Sequence, residues 1–378
     1  MDIIKLATFF SGGFGTPEFA FKYEKIPFEN CIACEYDNYA RESYIQNHGL
    51  PTLEMSNDIF DFNGSKYKGK IDIAHFSPEC VDYSLAGKRL GEEGRSGGQY
   101  DKTVEIIRDM QPKVFIIENV SNFAHQFSDV MDRIIADLKE IGYQVSWHIL
   151  SADDYGTPQS RKRVFIVGFL GTGAVFSSPL KKKSNIRVGD ILESNVDDKY
   201  YLSQKMLDGF KRKVKANDGL GYTFNPRTKD SKKIGTLTAR YAKQAISDPY
   251  IFDPKLIKVG NVDTSGNNSM WGRVYDINGI ATTLRANGGG AGAKTGLYDT
   301  ANGIRRLTPR EAARAMGDFE DIFLLDGFSD TRLYRFIGNA IDINTYRALI
   351  NKIITHMEYI DFNKVTKLEK PKEQGSLF

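Results

Sequence analysis

Ile3-Ile4-Lys5-Leu6-Ala7-Thr8-Phe9-Phe10-Ser11-Gly12-Gly13-Phe14-Gly15 is an apolar run that stops abruptly in a glycine-rich turn. That form predicts a buried strand whose end lets a ligand or another backbone approach closely. Further runs repeat it: residues 30–36 (NCIACEY), 71–77 (IDIAHFS), 114–120 (VFIIENV), 144–150 (QVSWHIL) and 164–169 (VFIVGF). Helical spacing separates them over residues 39–46, 100–110 and 130–141. Continuously apolar strands alternating with helices predict an α/β fold, a doubly wound and mostly parallel sheet covered on both faces. Ligands on such a sheet lie beyond the carboxyl ends of the strands.

Composition limits the remaining choices. The chain has 378 residues, a formal charge of +3, 41% hydrophobic and 26% charged residues. It is long enough for one large domain or two ordinary ones and too apolar for a disordered chain. No apolar stretch approaches the roughly 20 residues of a bilayer crossing, and the first residues lack a secretory pattern. Cys31, Cys34 and Cys80 cannot make a disulfide framework, so the expectation is a reducing cytoplasm and no membrane. After about residue 170 the alternation fades and basic clusters appear, at 181–183, 211–215 and 232–233. Regular structure returns in a helix over 308–316 and another over 344–357. The expected organisation is a core domain over 1–178, an inserted basic domain over 179–329, a return to the core over 330–360 and a charged tail over 361–378. A short echo, TLTAR at 236–240 against TLRAN at 283–287, is either a duplication or chance.

Several strand ends carry chemistry. Glu35 stands about 20 residues after the glycine turn, where an acid accepts the hydroxyls of a ribose. Asp58-Ile59 offers an acid and an apolar side chain suited to an adenine. Cys80 sits in Ser77-Pro78-Glu79-Cys80-Val81-Asp82-Tyr83-Ser84, in the loop after a strand, placed to attack rather than to fill a core. Cys31 and Cys34, a single CxxC inside an apolar strand, read as buried. Glu118-Asn119-Val120 ends the next strand. Gln159-Ser160-Arg161-Lys162-Arg163 puts Arg161 and Arg163 on one side of an extended chain, able to polarise a carbonyl oxygen or grip a phosphate. Taken singly, each of these also fits an ordinary strand-end acid, a small buried hydrophobe or a solvated charged edge.

Their order resembles the DNA cytosine-5 methyltransferase family. FSGGFGTPE, SPEC with Ser84, Glu118-Asn119-Val120, QSRKR at 159–163, RLTPRE at 306–311 and YRFIGNA at 334–340 are similar to successive family motifs between about residues 5 and 355. The resemblance implies S-adenosylmethionine held by Phe10, Ser11, Gly12, Gly13, Gly15, Glu35, Tyr36, Asp58, Ile59, Pro78, Asn339 and Ala340. It implies that Cys80 adds to C6 of a flipped-out cytosine, that Glu118 protonates N3, and that Arg163, supported by Arg161, holds O2. Ser84, Asn119, Gln159, Arg240 and Arg285 are the expected DNA contacts, with residues 86–98 as a loop closing over the base. The implied partner is double-stranded DNA, the expected state is a monomer, and a cognate restriction endonuclease is left open.

The chain departs from the family pattern in places. Glu79 replaces the usual proline before the nucleophile, Val81 replaces a glutamine, and His75 replaces a small residue. A carboxylate beside Cys80 favours the protonated thiol, so Glu79 is expected to point away or to be offset by an arginine. Rival readings are weaker. An RNA cytosine methyltransferase needs less of the basic insert, and an amino-methyltransferase would need a Pro-Pro-Tyr/Phe loop. A nicotinamide dehydrogenase leaves Cys80, Glu118 and the arginines without use, and a non-catalytic DNA-binding protein needs none of them.

Overall fold

Seven strands form one sheet in the order β3-β2-β1-β4-β5-β7-β6. The computed structural model describes residues 2–78, 95–182, 184–194, 196–216, 224–252, 258–261, 273–276, 297–299, 304–362 and 364. In chain order the sheet and its helices are β1 (Ile4–Phe9), α1 (Thr16–Tyr23), β2 (Phe28–Cys34), α2 (Asn38–His48), β3 (Glu54–Ser56), β4 (Ile73–Phe76) and α3 (Arg95–Met110). They continue with β5 (Val114–Val120), the single turn α4 (Phe123–Gln126), α5 (Ser128–Glu140), β6 (Tyr143–Ser151) and β7 (Lys162–Leu170). Then follow α6 (Gln204–Ala216), α7 (Pro309–Arg314), α8 (Asp330–Asn339) and α9 (Ile343–Met357). Strands β1 to β5 run parallel, whereas β7 is antiparallel to both β5 and β6.

The chain builds outward from β1 to β2 and β3, then returns to place β4 and β5 on its other side. Strand order therefore reverses between β1 and β4, and the crevice beyond their carboxyl ends is where such sheets bind ligands.

Period-two alternation divides each strand between two cores. Ala7 and Phe9, Phe76, Phe115 and Ile117 pack with α3 and α5 on one face. Leu6, Ile73, Val114, Ile116 and Phe165 pack with α1 and α9 on the other. Burying each such Phe, Ile or Leu contributes roughly 1.5–3 kcal/mol, which is what holds helices on both faces. A third core joins Phe14, Phe19 and Ala40 to Val188, Ile234, Leu237, Leu307, Phe336 and Ile343. Described residues of the 179–329 range thus share a core with the glycine turn, while Leu202, Leu207, Phe210, Ile246 and Tyr250 form a small cluster of their own.

Local differences from the sequence reading have physical causes. Strand β2 stops at Cys34, two residues short of the expected end, because the Glu35 side chain turns back to accept backbone N–H groups from Gly12 and Asp37. Residues 95–98, expected in a closing loop, belong to the first turn of α3; packing beside Phe60 overrides the poor helix propensity of Gly98. The start of α7 is as expected: Thr308 and Glu311 form a reciprocal capping box, with Pro309 at the first helical position. Cys31 and Cys34 are buried, and burial pushes the Cys34 thiol up to about 12. Glu79, Cys80, Val81, Ser84, Arg285, residues 86–94 and 283–287 and most of the 361–378 tail lie outside the described residues. No helix among the described residues is long and apolar enough to cross a membrane.

Candidate active site

The alternation that fills the core also aims the chemistry. On β4 the face holding Ile73 continues through His75 to Ser77; on β5 the face holding Val114 and Ile116 continues to Glu118. On β7 the face of Phe165 continues to Arg163. Glu118 pairs in register with Phe165, so Arg163 is its diagonal cross-strand neighbour. The three strand ends deliver one cluster. Arg163 Nε lies 3.0 Å from Glu118 Oε1, and Ser77 Oγ donates to Glu118 Oε2 at 3.0 Å. Burial pushes the Glu118 carboxyl above its ordinary value, against the opposing pull of Arg163, Arg161 and the Ser77 hydroxyl. A carboxyl whose protonated form is favoured by burial and that stands beside a guanidinium can protonate a ring nitrogen while a neighbouring oxygen is polarised.

Asn119 takes the opposite face. Its amide donates to the Pro78 carbonyl at 3.0 Å and to the Tyr100 hydroxyl on α3. It is buried and holds the start of the loop that leads to Cys80. Gln159 also turns inward. It is fully buried, donates to the Ala315 carbonyl at 2.6 Å and accepts from Leu237 N at 3.2 Å. Its bonds bracket α7 to the segment at 237, because a buried amide must find backbone partners.

Arg161 is 2% exposed. It donates to the carbonyls of Leu237 at 2.9 Å, Gly338 at 3.0 Å and Ala340. Its guanidinium is committed to backbone, so it acts as a positioning group rather than as a second base-binding arginine. Beside it α8 crosses the 238–239 backbone so closely that a Cβ on Gly338 would stand 2.4 Å from the Thr238 carbonyl carbon.

The other expected residues gather at the switch point. Phe10 and Gly12 carry the chain through positive φ, 58° and 65°. Gly12 donates its N–H to Glu35 Oε2 at 2.8 Å, and the space a side chain there would fill is open. Ser11 is tied inward, its N–H to the Cys34 carbonyl and its hydroxyl to the Thr8 carbonyl. Gly13 is pressed by Phe336 of α8, 2.7 Å from where a Cβ would stand. Gly15, at φ 64°, begins α1 with no room for a side chain against His48. Tyr36 is 64% exposed at the same mouth, Ile59 is buried beneath it, and Asp58 caps the short turn that presents Phe60 to solvent. Asn339 is exposed at the end of α8, brought near by the Phe336–Gly13 packing and by the Thr16 hydroxyl on the Ile341 carbonyl. An anchored carboxylate, an open glycine and exposed aromatic rings fit an adenosine-bearing cofactor.

The sequence reading overlooked the links between these residues. Tyr100, Tyr346 and Ser77 are silent as single letters, although His75 was visible as a departure from the pattern. Arg240 is exposed at the start of a short turn, open to solvent as a DNA contact requires.

Comparisons with known proteins give the chain's family and fold. A family described as C-5 cytosine-specific DNA methylase matches residues 4–355. The type II methyltransferase M1.ScrFI of Lactococcus lactis subsp. cremoris is 29% identical over 366 residues, 94% of this chain and 79% of that protein. The type II methyltransferase M.HhaI of Haemophilus parahaemolyticus is 28% identical, covering 86% of this chain and 87% of its own. An orphan methyltransferase of Bacillus phage rho11s, M.Rho11sI, is 26% identical over 79% of this chain and 61% of that protein. Among solved structures, the Entamoeba histolytica methyltransferase EhMeth superposes with a TM-score of 0.67 at 17% identity, covering 94% of this chain and 99% of its own.

Proposed function

The chain belongs to the C-5 cytosine-specific DNA methylase family, and from that premise we propose that Cys80, Glu118 and Arg163 methylate a cytosine held at the carboxyl ends of β4 and β5 and the amino end of β7. The observation that carries this is the buried Glu118–Arg163 pair, joined through Ser77 to the loop bearing Cys80. Cytosine C5 is a poor nucleophile until a group adds to the ring. The Cys80 sulfur bonds to C6 while the Glu118 proton moves to N3, leaving electron density on C5. Arg163 holds O2, where charge otherwise accumulates. Bound S-adenosylmethionine supplies an electrophilic methyl group, which C5 takes. Loss of the C5 proton to a base, expulsion of Cys80 and return of the N3 proton to Glu118 then restore the aromatic ring.

The residues proposed to hold the cofactor are Phe10, Ser11, Gly12, Gly13, Gly15, Glu35, Tyr36, Asp58, Ile59, Pro78, Asn339 and Ala340. Glu35 would take the ribose hydroxyls, and Asp58 with Ile59 the adenine. Asn119, Gln159 and Arg161 position rather than touch. The target must leave the duplex stack, at a cost of a few kcal/mol. We assign site reading to the 179–329 range, with Arg240 and Arg285 among its DNA contacts and Ser84 contacting DNA from the Cys80 loop, between a catalytic domain over 1–178 and its return over 330–360. Phosphate contacts by its lysines would give the salt dependence common to such proteins. The proposed state is a cytoplasmic monomer, with or without a cognate endonuclease.

DNA carrying 5-fluorocytosine tests the covalent step, since fluorine at C5 cannot leave as a proton does. A denaturation-resistant complex that forms with cofactor and is lost in Cys80→Ala supports the reading. A complex of equal yield in Cys80→Ala would overturn it.

A further inference from the structure

His75 is buried on β4, where its strand neighbours are apolar, and it is hydrogen-bonded at both ring nitrogens. Nδ1 lies 3.3 Å from the Tyr346 hydroxyl of α9, and Nε2 lies 2.9 Å from the Ser77 hydroxyl, which reaches Glu118 Oε2. We propose that His75 and Ser77 are positioning residues that anchor the Glu118 carboxyl through Oε2 and so fix its orientation beside Arg163. This rests on Glu118 being the N3 proton donor.

The direction of the chain follows from its hydroxyls. The Tyr346 hydroxyl is buried, and His75 is the acceptor within its reach among the described residues. Its O–H therefore points at Nδ1, and the ring carries its proton on Nε2. Nε2–H then occupies a lone pair of Ser77, whose own O–H turns to Glu118 Oε2. Oε2 thus accepts from Ser77 while Oε1 accepts from Arg163 Nε at 3.0 Å, so the carboxyl is fixed at both oxygens and cannot turn. Burial keeps His75 neutral, pushed down to about 3, so the relay is not broken by ring protonation at working pH. Among the described residues, the polar and titratable groups around the carboxyl are Arg163 from β7, Arg161 before it, His75 from β4, Ser77 just after it, and Tyr346 from α9. Glu18 of α1 lies beyond Tyr346.

The test is the pH dependence of single-turnover methylation by the full-length enzyme, on DNA saturated with cofactor. Ser77→Ala removes a hydrogen bond to the ionised carboxylate, so Glu118 should hold its proton to higher pH. The alkaline limb is expected to move up by about one unit. His75→Ala should move it the same way by less, with a several-fold lower plateau. His75→Gln, which can present a side-chain N–H near the position of Nε2, should restore most of both, and KM for DNA should stay within twofold in all three. Glu118→Gln, run beside them, separates the two ideas. Full activity there refutes Glu118 as the donor; an inactive Glu118→Gln with unmoved limbs in Ser77→Ala and His75→Ala refutes the positioning chain. Equal loss in His75→Ala and His75→Gln, tracking their melting temperatures, would also overturn it, because packing alone would then account for His75.

Discussion

Replacing Arg161 with alanine removes a side chain that ties the start of β7 to two separate backbone segments. Its guanidinium serves the carbonyls of Leu237, Gly338 and Ala340. A buried acceptor left without a donor costs about 1–3 kcal/mol. With Ala340 only half-buried and the desolvation of the cation relieved, the three sum to about 3–5 kcal/mol, a large part of a typical folding stability. At an unfolding entropy of about 2.1 cal/mol/K per residue, 378 residues give roughly 0.8 kcal/mol/K, hence a midpoint lowered by about 4–6 °C. The same carbonyls end α8, whose Phe336 presses on the glycine turn, so S-adenosylmethionine affinity should fall with stability. Differential scanning calorimetry with isothermal titration reads both, and Arg161→Lys, which keeps the charge but not the fork, should lie between. A variant that melts within 1 °C of the parent and binds cofactor equally well, yet fails on DNA, would refute the positioning role.

Other perturbations separate chemistry from support. Glu118→Gln should lower the methylation rate by about 10²–10⁴ while cofactor binding by titration calorimetry is kept. Gly338→Ala drives a Cβ against the Thr238 backbone, 2.4 Å away, and should cost more stability by thermal melting than Gly12→Ala, whose Cβ direction is open and whose penalty is the positive φ. His75 gives a pH signature of known sign. The unfolded ring takes a proton near pH 6.5 and the folded ring near 3, so stability present above 6.5 is lost as pH falls, by about 1.4 kcal/mol per unit for this group. Chemical denaturation of the parent and His75→Gln should therefore show a stability difference that shifts against the parent between pH 6.5 and 4, and a pH-independent difference would contradict the buried neutral ring.

Much of this was legible in the sequence because period-two patterning and strand-end motifs are local. The apolar runs located β1, β4, β5 and β7, and Glu118 and Arg163 meet where alternation and sheet order put them. The helix holding Tyr334 to Asn339 was not read as one, since its function-bearing letters end in Gly-Asn and mask the apolar face of Leu333, Phe336 and Ile337. Gln159, Asn119 and Arg161 looked like binding residues because polar and charged side chains usually face solvent or ligand. Their partners, mostly backbone groups, lie far away in sequence, which no spacing announces. The antiparallel turn of β7 between β5 and β6 was similarly invisible, because a strand carries no mark of its direction.

Base-resolution methylation sequencing of plasmid DNA from a methylation-free bacterial host tests the central claim most directly, with Cys80→Ala alongside. The expected result is 5-methylcytosine at one short recurring motif, absent in the variant. Unmodified cytosine throughout the plasmid, from a folded protein that binds S-adenosylmethionine, would contradict DNA cytosine-5 methylation by this site.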